Sequence, residues 1–197
     1  MTRLFVLARH GESTLNVERV VNGDPARDVR LTERGRAESL LLGEQVRNVA
    51  LDVCIHSRFG RTRETAEIAL EGRGVRFEVE PLLDDIDVGD LEGKSLDDYR
   101  AWKRRHGRAD PFPNGESLDA VALRYGRALR ALLARPERAI MVVTHEIPVR
   151  YALNAAEGSL DADSPHHKIA NATPYLFSES QLAAAAERLA RGSPGIG

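Results

Sequence analysis

Four short apolar runs, at residues 3–8, 52–57, 75–80 and 139–145, alternate with longer stretches of helical period along this chain. Each run is rich in β-branched residues over a length that suits a strand, and the segments between the runs are too long for hairpins. Strands joined through helices run parallel, and a parallel sheet needs helices on both faces to bury it. The alternation therefore predicts a three-layer α/β/α sandwich around a mostly parallel sheet.

The helices announce their ends. Residues 32–49 carry leucine and valine at helical spacing behind Thr32, an N-cap residue type, and residues 61–72 stop at Gly72 and Gly74. Ser117 opens a helix expected over 117–135, with Pro136 beyond it; residues 147–158 and "LAAAAERLARG" (182–192) read as two more. Residues 81–116 break the pattern. They are polar and acidic, punctuated by "DVGDLEGKS" and "RADPFPNGES", and are expected to form an excursion over the sheet with one helix at 96–105. Residues 1–190 are thus read as one domain and 191–197 as a disordered tail.

Charge excludes some classes of function. The 28 Lys and Arg against 30 Asp and Glu, with no polybasic block, argue against a nucleic-acid partner. Near the N-terminus only five apolar residues precede a charge, and no run approaches the ~18 apolar residues of a membrane span, so no membrane association and a cytoplasmic location are expected. The single cysteine, Cys54, lies inside an apolar run and reads as an inert core thiol.

Ligands of open α/β sheets bind beyond the carboxyl ends of the strands. Three of the four expected strands finish there in functional side chains: Arg9-His10-Gly11, "HSRFGRTRET" (56–65) and Thr144-His145-Glu146. Each strand end meets a helix start, whose unpaired N–H groups favour an anion. Two histidines and at least two arginines at one sheet edge make a cationic cup, and a phosphate or carboxylate fits it because guanidinium forks match those oxygens. His56 reads as structural, and "PHH" (165–167) lacks a third ligand at metal spacing, so it reads as a surface loop.

"ARHGEST" with Asn16 two residues on, "HSRFGRTRETA", "LLDDIDVGDLEG", "PNGES" and "VVTHEIPVR" follow one another in an order that resembles the histidine phosphatase superfamily, the phosphoglycerate-mutase-like proteins. The resemblance covers about residues 3–177. It implies that His10 is the nucleophile that becomes phosphohistidine, with Arg9, Arg61 and His145 holding the phosphoryl oxygens and no metal or cofactor required. Arg61 matches the motif rather than Arg58 or Arg63, the latter lying about 200° further round a helix. The resemblance also implies that Gly11 lets the backbone approach the ligand, that Asn16 contacts the phosphate, and that Asn22 and Gly23 line the substrate entrance.

Two positions depart from the family pattern. Asp85 stands where many members carry a glutamate proton donor, with Asp84 and Asp87 as neighbouring rivals. Glu146 stands where glycine is common. It reads as an outward-turned helix start, as a contact to a cationic or hydroxylated substrate, or as a second donor. The resemblance implies a phosphomonoesterase acting on a small phosphorylated metabolite. The alternatives are a mutase that returns the phosphoryl group to another hydroxyl, and a non-catalytic phospholigand sensor. Mutase members carry longer insertions over the pocket than the span from Asp85 to Pro113 here. A homodimer is common in similar proteins, and the contacts that choose the substrate are expected in 81–116 and near 159–168.

Overall fold

A computed structural model describes residues 3–159, 163–165 and 167–191. The four expected strands are present as β1 (Leu4–Arg9), β2 (Val53–His56), β3 (Arg76–Val79) and β4 (Ala139–Thr144). A fifth, β5 (Pro174–Ser178), closes the sheet in the order β3-β2-β4-β1-β5; it pairs antiparallel to β1, while the other pairings are parallel. β5 escaped the sequence reading because it is short, starts at a proline and leaves Leu176 exposed, all traits of an edge strand.

The helices are α1 (Thr14–Glu18), α2 (Glu33–Gln45), α3 (Gly60–Ala69), α4 (Leu96–Lys103), α5 (Leu118–Leu133), α6 (Glu146–Ala156) and α7 (Glu179–Ala190). Thr32 and Ser117 cap α2 and α5 as their sequences imply. The helix expected over 32–49 ends at Gln45, because the Arg73 guanidinium reaches the carbonyls of Val46 and Val49 and satisfies acceptors that a continuing helix would have paired.

Strand alternation divides the core. Phe5, Leu7, Val53, Ile55, Ile140 and Val142 face one side, against α5, α6 and α7. Val6, Ala8, Cys54, Met141 and Val143 face the other, against α2 and α3. Burial pushes the Cys54 thiol up to about 12, so it stays protonated in the core.

From β1 the chain crosses on the α2–α3 side to β2 and the outer β3. It then returns by the excursion and α5 on the opposite face to insert β4 between β2 and β1. The turn after β1 therefore leads to one face and the turn after its neighbour β4 to the other. That divergence opens a crevice at the carboxyl edge. The excursion arches over it: α4 packs Tyr99 and Trp102 on Phe112, with ring centroids 5.4 and 4.2 Å away, and Val21, Lys94 and Gly93 stitch the excursion to the segment after α1. Of the tail expected to be disordered, residues 192–197 lie outside the described residues, as do 160–162 and 166. No helix among the described residues is long and apolar enough to cross a membrane.

Candidate active site

Strand register gathers the site. Arg9 pairs with Thr144 and His56 with Val143, so the residues just beyond them, His10, Ser57 and His145, meet at one edge. The His10 Nδ1 lies 2.7 Å from the Gly11 carbonyl oxygen. A carbonyl can only accept, so Nδ1 carries the proton and Nε2 the lone pair, which receives Arg61 Nε at 3.1 Å. Burial, then the charges of Arg61 and Arg9, hold the His10 pKa well below the usual histidine value. The imidazole is neutral, with its one lone pair at Nε2.

Arg61, in the first turn of α3, is buried against the Phe59 ring, 4.4 Å from its centroid. Its Nη1 donates to Asn22 Oδ1, and its Nη2 lies 3.2 Å from both Asp85 Oδ2 and His145 Nδ1. Arg63 faces solvent and pairs with Glu67, as its helical offset requires, while Arg58 binds Asp84. His145 is fully buried and lies behind the pocket wall. Burial, followed by Arg61, lowers its pKa well below the usual value. With Arg61 donating to Nδ1, its Nε2–H is left to donate to Ser57 Oγ at 2.9 Å.

Three hydroxyls that the sequence reading passed over hold this frame. Ser57 meets Thr62 Oγ1 at 2.9 Å behind His145. Thr65 Oγ1 accepts from Gly11 N at 2.9 Å and donates to the Arg61 carbonyl at 2.8 Å, locking the turn after β1 onto α3. Glu92 was also missed: it accepts from Asn22 Nδ2 and Gly23 N at 2.9 and 2.6 Å, and Asn22 in turn orients Arg61. Glu92 closes the motif stretch "LLDDIDVGDLEG" next to Gly93, which marks it among the acids of its loop, but only the fold brings it to Asn22.

Of the three candidate aspartates, Asp85 lines the pocket. Its Oδ2 is 3.2 Å from Arg61 and 3.4 Å from His145, and its Oδ1 accepts from Ile86 N at 3.0 Å. Burial raises its pKa against the opposing pull of Arg61 and the Ile86 amide, and Glu146 adds to the rise. Asp84 turns away to cap Arg58 N at 2.8 Å, and the exposed Asp87 accepts from Gly89 N.

Arg9 donates through Nη1 to the Ile169 carbonyl at 3.1 Å and to Glu146 Oε2 at 2.9 Å. Its Nε–H is the one buried side-chain polar atom without a partner among the described residues. A buried donor left unpaired costs about 1–3 kcal/mol, which an anionic oxygen in the pocket would recover. Asn16 also lines the pocket, with its Oδ1 accepting from Ser13 N at 3.0 Å in the capping box of α1.

The pocket lining takes in Asn22 but neither Gly11 nor Gly23. A Cβ on Gly11 would meet the Gly35 carbonyl oxygen at 2.4 Å, and one on Gly23 the Ile86 oxygen at 2.1 Å. Both are glycine because backbone packs on backbone. Glu146, the first residue of α6, is half-exposed on the pocket wall, where it bridges Arg9 and Arg150.

The pocket encloses about 590 Å³. Its lining holds Arg9, Arg19, Arg61, Arg100, Lys103, Arg104 and Arg150 against Asp85, Glu146 and Asp163, so positive charge prevails. α4 supplies Leu96, Tyr99, Arg100 and Lys103 to it from a single face, by the three- and four-residue spacing of a helix. The two helices that begin at the site, α3 and α6, are also the ones without a side-chain N-cap bond. His56 is buried with Nδ1 on the Ser57 carbonyl, and His167 pairs with Glu157, while His166 lies outside the described residues. No group of three metal-binding side chains converges among the described residues.

Residues 5–191 match the sequence model of the histidine phosphatase superfamily (branch 1). The 2,3-bisphosphoglycerate-dependent phosphoglycerate mutase of Methylobacterium sp. (strain 4-46) is 31% identical over 194 residues, covering 90% of this chain and 91% of that one. A protein of Erwinia tasmaniensis named "Probable phosphoglycerate mutase GpmB" is 35% identical over 150 residues, 71% of this chain and 67% of its own. Among solved structures, the alpha-ribazole phosphatase from Shigella flexneri superposes with a TM-score of 0.77 at 25% identity, over 88% of this chain and 89% of that one.

Proposed function

This chain belongs to the histidine phosphatase superfamily, and from that premise we propose that it is a metal-independent phosphomonoesterase acting through a phosphohistidine on a small phosphorylated metabolite. The observation that carries the reading is the His10 tautomer: Nδ1–H is spent on Gly11, and Nε2 presents a lone pair amid arginines.

In the first step His10 Nε2 attacks phosphorus and the bond to the alcohol oxygen breaks. Asp85 gives that oxygen its proton, which spares the alcohol from leaving as an alkoxide. The Nδ1–H bond to Gly11 disperses the positive charge that the imidazole acquires. Arg61 and Arg9 supply fixed positive charge at the transferring group, and neutral His145 holds Arg61 from behind the wall; phosphoryl transfer asks chiefly for positioning and charge neutralisation, which these cations supply without magnesium. In the second step the Asp85 carboxylate takes a proton from water as its oxygen attacks phosphorus, the P–N bond breaks, and phosphate leaves. His10 is again neutral and Asp85 protonated.

The kinship with phosphoglycerate mutases supports a second reading, return of the phosphoryl group to another hydroxyl of the same molecule. That route must retain a bisphosphorylated intermediate and exclude water, and the likeness to a solved alpha-ribazole phosphatase supports hydrolysis. Release of inorganic phosphate set against conversion of 3- to 2-phosphoglycerate separates the two, and conversion without release refutes the phosphatase reading. Rapid quench with labelled substrate is expected to trap an acid-labile, alkali-stable adduct on His10. His10→Ala is expected to abolish the adduct and turnover while weakening phosphate binding far less; an adduct surviving in that variant refutes the mechanism.

A further inference from the structure

The pocket wall beside Arg9 carries a carboxylate that the proposed reaction leaves unused. Glu146 Oε2 lies 2.9 Å from Arg9 Nη1, and its other oxygen binds Arg150 one turn along α6. Both partners are themselves anchored, Arg9 on the Ile169 carbonyl at 3.1 Å and Arg150 on that of His167 at 3.4 Å. As the first residue of α6, Glu146 also sits where the helix dipole favours negative charge. It is therefore held as a fixed anion between two arginines of the pocket.

A fixed anion acts on the neighbouring part of a substrate in two ways. It repels a second negative group that would otherwise take Arg9 and Arg150, and its oxygens, which only accept, remain open to a hydroxyl donor. We infer that Glu146 is a specificity-determining residue, selecting phosphomonoesters that present a hydroxyl near the ester and rejecting those that present a carboxylate or a second phosphate there. The inference rests on the phosphomonoesterase reading and narrows its substrate class to polyol- or sugar-like phosphates. Glu146 also keeps Arg9 partly occupied, so it weakens the hold on inorganic phosphate.

Glycerol 3-phosphate and 3-phosphoglycerate test it, because they share a skeleton and differ in a hydroxymethyl against a carboxylate. The wild-type enzyme is expected to prefer glycerol 3-phosphate by about tenfold or more in kcat/KM. Glu146→Gln is expected to shrink that preference by about tenfold and to tighten inorganic phosphate by at least about threefold in calorimetry, the scale expected for removing one charge beside a partly buried anion site. Glu146→Ala, which removes the charge without introducing an amide, is expected to move both quantities in the same direction. A wild-type preference for 3-phosphoglycerate overturns the inference, as do variant ratios and phosphate affinities within twofold of wild type. Calorimetric binding of both esters keeps the two readings apart. Discrimination in binding without phosphate release from any monoester counts against the phosphatase reading alone. Phosphate release without discrimination counts against Glu146 alone.

Discussion

Asp85→Asn removes a transferable proton while keeping the shape of the side chain. The amide oxygen still accepts from Ile86 N, but the new NH2 replaces the acceptor of Arg61 Nη2 and sets a donor 3.2 Å from it. That cost falls alike on every substrate, so the dependence on the leaving group isolates the chemical loss. A positioned general acid contributes about 10²- to 10⁴-fold, or about 2.7–5.4 kcal/mol at 1.36 kcal/mol per decade. That full penalty falls on an alkyl phosphate, whose leaving oxygen needs the proton. It falls hardly at all on 4-nitrophenyl phosphate, whose phenolate departs unprotonated, and we expect less than about a tenfold effect there. The second step uses Asp85 for every substrate, so the assay must read alcohol or phenolate release within the first turnover. Nitrophenol is expected in a preserved burst followed by slow steady-state turnover, and the alkyl alcohol in no burst. Equal first-turnover losses on both substrates would refute Asp85 as the donor. Asp84→Asn is the control: its carboxylate only ties down Arg58, so whatever it costs should not depend on the leaving group.

Acid should destabilise the fold through His10 and His145. Both have folded pKa values lowered by burial, so their stabilisation is fully present above the ordinary value near 6.5 and is lost as pH falls from there through the folded values. Each contributes a slope of up to about 1.4 kcal/mol per pH unit in that window, since the unfolded chain takes up the protons first. Asp85, raised by burial, works in the opposite sense and offsets part of the loss as it regains its proton. Urea unfolding is expected to show a clear fall from pH 6.5 to 5, and a flat profile would contradict neutral buried imidazoles. Gly11→Ala forces a methyl to 2.4 Å from the Gly35 carbonyl. Overpacking of that kind costs about 1–3 kcal/mol, which in a chain of this size lowers Tm by about 2–12 °C. An unchanged Tm would show that the α2 backbone gives way freely.

The sequence made the architecture legible because periodicity is a local property. Runs of alternating or continuous apolar residues marked β1 to β4, and Thr32 and Ser117 marked helix starts by chemistry that acts within four residues. β5 was lost because an edge strand needs little of that pattern, and the 32–49 helix was drawn too long because Arg73, far along the chain, supplies its stop. The motif residues His10, Arg61, Asp85 and His145 were recognisable by type and order. The same holds for the choice of Arg61 over Arg63, where the motif match points to Arg61 and helical geometry turns Arg63 to the other side.

Contacts between residues distant in sequence lay beyond that reading. Which histidine nitrogen carries the proton depends on a carbonyl one residue away in chain but fixed by Thr65, fifty-four residues on from the Gly11 amide that it holds. The placement of Asp85 rather than Asp84 in the pocket follows from where a loop meets Arg61 and Arg58. Glu146 could be read equally as a solvated helix start or as part of the pocket, and only the placement of Arg9 against α6 settled its neighbours. Local pattern thus determined the strands, the helices and the chemical groups available at the sheet edge. Tertiary packing decided their protonation, their partners and the charge that a substrate meets, because burial and electrostatic neighbours are set by what the fold brings together.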